Sequence, residues 1–431
     1  MKIKVFFIGM FCWLCTLAAH SQQKLEDVKY RRSSLSMILM EANNFPNKDA
    51  VMKSWNNYPF PDKYNHHNIA TKTVNLGNLK LNNQKGDTIT AAPNAKAEKD
   101  IYTRKINQVI KEQKIAHQLV GKWFNRSAET GFDMQLIQER GYYNATELEA
   151  SIAKQEARGL AALADAGEEL ISNTFVTFTQ FTFYPNEPVA RVIRDVAIVT
   201  AYKTISNATI RDFSIAAANV AYAVAKDGYS LWSKTWLYKL VWNDSIANVF
   251  YTQFYPLPTD DAWAVDDKLS AFDASDIFQL ALVGVQYNQS LVTGSLLESR
   301  STERLIDIAE VRNMDNVFAQ LQRDHDVFRP KVPIFTVNPI TAQIGMKEGL
   351  KGGEKFEVLE MTQDPQTERT KYVRVGTAKV NKKQLWDNRY NVAEEGKTLT
   401  PPTDKEGNPI ASTVFSGPKK AQPGMLLRQI K

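Results

Sequence analysis

The chain has 431 residues, with 53 basic against 47 acidic side chains and a formal net charge of +6. So small an imbalance, dispersed and without a basic run, excludes the electrostatic footprint of a nucleic-acid-binding or membrane-docking protein. Both cysteines, Cys12 and Cys15, fall near the N-terminus, so the rest of the chain has neither disulfide nor thiol chemistry, and a chain this long buries a sizeable core without staples.

The first residues read as a secretory signal. Lys2 and Lys4 supply the positive region, residues 5–19 an uncharged apolar run, and Ala19 and Ser21 the small residues at the cleavage positions. Cleavage is expected before Gln22. The run is shorter than the roughly 20 residues a membrane span needs. Leu14, not a small residue, precedes Cys15, so lipidation is not expected. The expected location is the periplasm or the cell surface.

An α+β fold is predicted in parts: signal peptide 1–21, N-terminal helical region and linker 22–97, mixed α/β middle domain 98–329, small β-barrel 330–391, and a loosely ordered tail 392–431. In chain order, residues 35–40 are an apolar helix candidate, and the small polar stretch 85–97 is a linker. Tyr102, Ile106, Val109, Gln113, Ala116, Val120 and Trp123 recur at steps of four and three, which predicts one amphipathic helix over 98–124. Thr146 with Glu149 fits a capping box opening a second helix that runs to Ile171. Residues 174–184, TFVTFTQFTFY, are aromatic and β-branched and predict a strand. Residues 189–199 are a candidate return strand, and 213–226 an Ala-rich helix expected to be buried. It is too short and too firmly flanked by charge to span a bilayer. Strands are predicted over 229–242 and 280–292, a short helix at 245–251, and a helix capped by Ser301. Beyond Pro330 and Pro333 the helical pattern stops. Strands at 332–344, 355–361 and 372–380, with Gly345, Gly349, Gly352 and Gly353 in the turns, predict the small barrel. The tail is rich in Pro, Gly and Lys.

The strings GFDMQLIQERGYYNATELEASIAKQEARGLAALADAGEELISNTFV (131–176), WSKTWLYKLVWNDSIANVFY (232–251) and PFPDKYNHHNI (59–69) resemble a family of uncharacterised secreted proteins of Bacteroides-type Gram-negative bacteria. The resemblance implies export and names no activity. ITAQIGMKEGLKGGEKFEVLE (340–360) is similar to the small barrels that close envelope-assembly proteins around flagella and secretion pores.

Chemistry is sparse. His66 and His67 are neighbours, which an extended segment points to opposite sides. His117 sits at the rim of a helical stripe, and His325 at a helix end where a cation is welcome. The six aspartates of residues 260–276 form an acidic loop in which Asp260, Asp261, Asp266 and Asp267 are the best candidates for an ion, although the regular calcium-loop spacing is missing. Two S-x-x-K matches, Ser151 to Lys154 and Ser416 to Lys419, lack partner motifs. No phosphate-binding glycine loop is present, and no cofactor is expected. Glu168 with Glu169 could supply a carboxylate pair, and Trp232, Trp236 and Trp242 could stack on sugars, although aromatics on such a strand usually build core. Asp87-Thr88-Ile89 and Asp244-Ser245-Ile246 match a short O-glycosylation pattern, the second doubling as a helix cap. The expected function is that of an exported, non-enzymatic envelope protein that binds or assembles with other envelope proteins or glycans. The alternative is a glycan-active hydrolase using a carboxylate pair.

Overall fold

The computed structural model describes residues 30–82, 101–143, 167–294, 300–364, 370–389 and 411–430. The signal segment, the linker 85–97, Thr146, Glu149, Ser151 and Lys154 lie outside them. The fold is α+β and has two sheets. The first has the order β2-β1-β4-β5-β6, from β1 (Ser34–Met40), β2 (Asn65–His66), β4 (Thr174–Pro185), β5 (Gly228–Val241) and β6 (Gln279–Thr293), with β3 (Thr73–Val74) also pairing β1. β1 runs parallel to β4, from Ser34↔Thr174 to Met40↔Gln180. β4, β5 and β6 form an antiparallel meander.

The residues expected as an N-terminal helix, 35–40, are therefore strand. All seven residues of β1 are buried, which explains the error. A strand covered on both faces shows a continuous apolar run, and periodicity cannot distinguish that from a short buried helix. One face of the sheet carries Ile38, Val176, Phe178, Trp236 and Tyr238, packed under α2 (Ile101–Glu112) and α3 (Ile115–Trp123). The opposite face carries Leu35, Met37, Phe175, Phe181 and Leu237, packed under α1 (Lys48–Asn57) and α9 (Thr302–Asp324). The middle part is thus a helix–sheet–helix sandwich.

The single helix predicted over 98–124 is two. Lys114 takes a left-handed conformation, φ 50°, and breaks the chain between α2 and α3. Ile106, Val109, Ala116, Val120 and Trp123 still reach the core. α4 (Gln135–Tyr143) follows. Its Arg140 donates to the Nδ1 of His67 at 2.8 Å while His67 Nε2 meets the Leu119 carbonyl at 3.0 Å. That pair of partners fixes His67 as the neutral Nε2–H tautomer. Burial, with Arg140 beside it, holds its pKa well below the usual histidine range.

The second sheet has the order β7-β13-β10-β11-β12-β9-β8. Its strands are β7 (Lys331–Pro333), β8 (Thr336–Val337), β9 (Ile340–Ala342), β10 (Lys355–Gln363), β11 (Thr370–Val380), β12 (Thr413–Ser416) and β13 (Leu426–Gln429). It curls into a half-barrel and does not close. The two ends explain why. β8 has two residues, and β7 ends in Pro333, which has no N–H to give a further neighbour. Part of the expected loose tail is integral to this sheet, because β13 inserts between β7 and β10 and β12 between β11 and β9. The two sheets meet at a partly buried polar cluster. Tyr372 donates to Glu169 at 3.0 Å, Tyr30 lies 3.0 Å from the Tyr372 hydroxyl, and Lys331 Nζ sits 3.8 Å from the Tyr372 ring centroid. Burial pushes the Tyr30 hydroxyl up to about 12.

On α9, Glu310 is 1% exposed and neither carboxyl oxygen is hydrogen-bonded. The nearby Ser54 hydroxyl donates instead to Asp307, 3.3 Å away. Burial raises the Glu310 pKa well above the carboxylate range, and Asp307 adds to this. The native state thus holds a proton that the unfolded chain releases above about pH 4.3. Stability is lost as pH rises from there toward the folded pKa. Glu310→Gln removes this linkage. It is expected to stabilise the fold by roughly 1–3 kcal/mol at pH 8 and by less at pH 5, read by urea denaturation at both values. A gain that is equal at both would contradict the assignment.

Candidate functional site

The predicted metal candidates lie not on a loop but at the start of a helix, α8 (Ala262–Ala274). Asp261 caps it, accepting from the Ala264 amide at 2.9 Å. Asp260 accepts from the Leu257 amide at 2.7 Å and from Lys268 at 2.6 Å, and that lysine holds its pKa below the usual range. Asp266 and Asp267 project from the exposed side of the helix. Each first-turn carboxylate therefore serves helix capping or a local ion pair. No group of three or more metal-ligating side chains occurs among the described residues.

The other candidates separate in the same way. Glu168 accepts from Trp242 Nε1 at 2.6 Å, whereas Glu169 accepts from Tyr372 in the cluster between the sheets. His66 packs on Phe60, His67 is buried under Leu119, and His117 meets the Ser275 carbonyl at 2.8 Å. Asn243, not Asp244, caps the short helix α7 (Asp244–Val249). A groove of about 710 Å³ runs beside α3, lined by Lys114, His117, Lys122, Arg126 and Asp273. Its cations are engaged locally: Arg126 with Asp273 at 2.5 Å, Lys114 with Asp276 at 3.3 Å, and Lys122 with the Asn68 carbonyl.

The feature that sequence reading placed wrongly is the insertion between β4 and β5. Residues 189–199 are not a return strand. They belong to helix α5 (Glu187–Thr204), and α6 (Ala208–Ala225) follows. Val and Ile favour strands, but their order here has a helical period. Val189, Val192, Val196 and Val199 repeat at steps of three and four, and Pro188 occupies the first turn, where its missing N–H costs nothing. Asn207 caps α6 by accepting from the Ile210 amide at 3.1 Å.

The two helices hold each other through a seam of small and polar groups. Tyr222 donates to Glu187 at 2.8 Å, Arg194 lies 4.4 Å over the Tyr222 ring, and Arg211 lies 5.2 Å over the Tyr202 ring. Ile215, Tyr222 and Val224 are half-buried, and most of the other large apolar side chains are exposed. On α5 only Ala190 and Ala201 are fully buried, and on α6 no side chain is. The expectation that 213–226 is a buried helix is therefore overturned. Its alanine-rich composition reads as core, but among the described residues none of its side chains is fully buried. Val189, Val192, Ile193, Val196 and Val199 are 51–65% exposed and Phe213 is 77% exposed, with Tyr202, Ile210 and Val220 exposed beside them. Apolar side chains exposed singly are ordinary on a protein surface, whereas nine on two adjoining helices are not.

The sheet has exposed apolar side chains of its own. Trp236 is buried, its Nε1 donating to Thr103 at 2.8 Å. Further along the same face, Trp232 is half exposed and meets Tyr184 edge-on, with centroids 6.5 Å apart. Tyr287 and Leu291 are exposed on the neighbouring strand. Of the tryptophans that were candidates for sugar stacking, Trp236 and Trp242 are core and Trp232 is half exposed. Compared with known proteins, the chain matches no family model and no curated protein sequence. No described helix is long and apolar enough to cross a membrane.

The division between core and open face has a measurable consequence. Trp236→Ala is expected to destabilise the fold by about 3–5 kcal/mol, and Trp232→Ala by less than about 0.5 kcal/mol, in urea denaturation. Comparable losses at the two positions would show that the open end of the sheet is packed after all.

Proposed function

We propose that this chain is an exported cell-envelope protein, periplasmic or surface-facing, with a non-enzymatic binding or assembly role exercised through the α5–α6 hairpin. The observation that carries this reading is a helix of eighteen residues with no buried side chain beside one that buries two alanines. Helices in proteins derive most of their stability from packing an apolar face, and a pair with so little between them is marginal alone. So many exposed apolar side chains on one hairpin fit a docking element.

The alternative, a glycan-active hydrolase, has one observation in its favour, the exposed Trp232 beside Tyr184, since sugars stack on such rings. The carboxylates do not support it. Glu168 and Glu169 are tied to different partners, Trp242 and Tyr372.

A photo-cross-linking residue at Phe213, and separately at Val192, tests the docking role in the native envelope. Both positions are expected to yield adducts, while the same group at exposed Lys419 yields none. No adduct from either hairpin position would overturn the proposal.

A further inference from the structure

We infer that the groove beside α3 seats a phosphoryl group at its Lys122–Asn68 end, with Lys122 as the principal ligand and Lys72 and Arg140 supplying further positive charge. This site is separate from the hairpin and does not depend on its role. The cations that line the groove differ in what they meet. Arg126 and Lys114 are each neutralised by a carboxylate, Asp273 and Asp276. Lys122 is half-buried, and its ammonium meets only the neutral carbonyl of Asn68. One of its three donors is thereby used, and its charge is not offset.

Two more cations crowd it. β2 joins β1 partly through the His67 amide, which donates to the Leu35 carbonyl at 2.9 Å. Backbone groups alternate in direction along a strand, so the carbonyls of His66 and Asn68 point to the opposite edge. Lys122 takes the Asn68 carbonyl there, and Arg140 of α4 takes the His66 carbonyl at 2.9 Å. Carbonyls two residues apart on an extended chain are separated by roughly 6–7 Å, which sets the two cations side by side. Lys72, just before β3, is exposed and has no ion pair among the described residues. Burial holds the Lys122 ammonium below the usual lysine range, and Arg140 and Lys72 add to this. The same three cations act on His66 after its own burial. Glu139 bears on Arg140 from the same helix, but it accepts from Gln135 at 2.8 Å.

One cation at the end of a helix is ordinary. Three that repel one another reduce stability, and an anion seated among them restores it. Phosphate fits better than carboxylate on two counts. It carries nearly two negative charges at neutral pH, and its three terminal oxygens reach several donors at once. The groove of about 710 Å³ falls within the roughly 300–1,000 Å³ of small-molecule sites. The rest of a phosphate ester would lie along Gln118 and Asn125, which line it beyond Lys122.

The test is thermal melting of the exported full chain in phosphate, acetate and chloride, at matched ionic strength and near neutral pH. Phosphate is expected to raise Tm by several degrees and to saturate at millimolar concentration. The general stabilisation by excluded salts grows steadily instead. Lys122→Gln keeps a donor for the Asn68 carbonyl and removes the charge. It is expected to melt no lower than the wild type in chloride, and to raise the half-saturating phosphate concentration about tenfold or more. Lys72→Gln has no ion pair to lose and is expected to raise it about threefold. That variant decides the matter if Lys122→Gln does not fold. Lys420→Gln, also exposed, should leave the response as it is. A wild type indifferent to phosphate, an equal response to acetate, or a response that both groove variants leave intact overturns the inference. Vesicles containing phosphatidic acid separate the two sources of the group. Flotation that free phosphate reverses supports the site and assigns it a lipid headgroup. A chain that stays off the vesicles while its Tm responds to phosphate supports the site and assigns it a soluble ester.

Discussion

The closure of the β4–β5 ladder at its mouth is the constraint on which the rest depends. Pairing runs without interruption from Phe175↔Lys239 to Pro185↔Tyr229, and the Asn186 amide then donates to the Gly228 carbonyl at 3.1 Å. Gly228 adopts φ +153°, and a Cβ there would stand 2.0 Å from the Val292 carbonyl oxygen, so only glycine fits. Asn186 Nδ2 donates to that same oxygen at 2.8 Å. The neck is thus sealed by backbone and one amide across three strands. Everything between residues 186 and 228 is added beyond a sheet that is already complete. That is why two long helices can leave their apolar faces bare without opening the core.

The sandwich itself is stabilised on both sides of one sheet. Trp236, Phe178 and Tyr238 bury against α2 and α3, while Phe175, Phe181 and Leu237 bury against α1 and α9. Polar groups inside it are positioned by their partners: Trp123 Nε1 donates to Thr174 at 2.8 Å, and Tyr64 donates to the Phe328 carbonyl at 2.7 Å. The half-barrel is held to this body through Tyr30, Tyr372, Glu169 and Lys331, a cluster in which the burial of each group is offset by the others. Binding elements that protrude from a rigid body of this kind keep their geometry with little ordering cost on association.

Much of this was legible in the sequence, for identifiable reasons. Residues 174–184 could hardly be anything but strand, because the aromatic and β-branched run contains no competing helical period. Ser301 is the cap it promised to be, accepting from the Arg304 amide at 3.2 Å. The failures arise where composition and periodicity disagree. Residues 35–40 had no period because both faces are covered, and 189–199 had strand-forming residues in a helical order. The polar tail hid β12 and β13 because strands of four residues carry too little pattern to stand out from Pro, Gly and Lys. The exposed hairpin was illegible in a deeper sense. An apolar stripe says that a face is to be covered, and says nothing of whether the cover comes from the same chain.

The central claim is that the hairpin lies outside the fold's own core and exists for a contact. Excision tests it most directly. Residues 187–227 are replaced by a two-residue type I′ turn that keeps Asn186 and Gly228, and the melting temperature is compared with that of the wild type measured as a monomer. The account predicts an excised chain that melts within about 2 °C of the intact monomer, since a shift of that size is below 1 kcal/mol for a body this large. A chain that fails to fold, or melts far lower, would show that the hairpin is part of the core and would contradict the account.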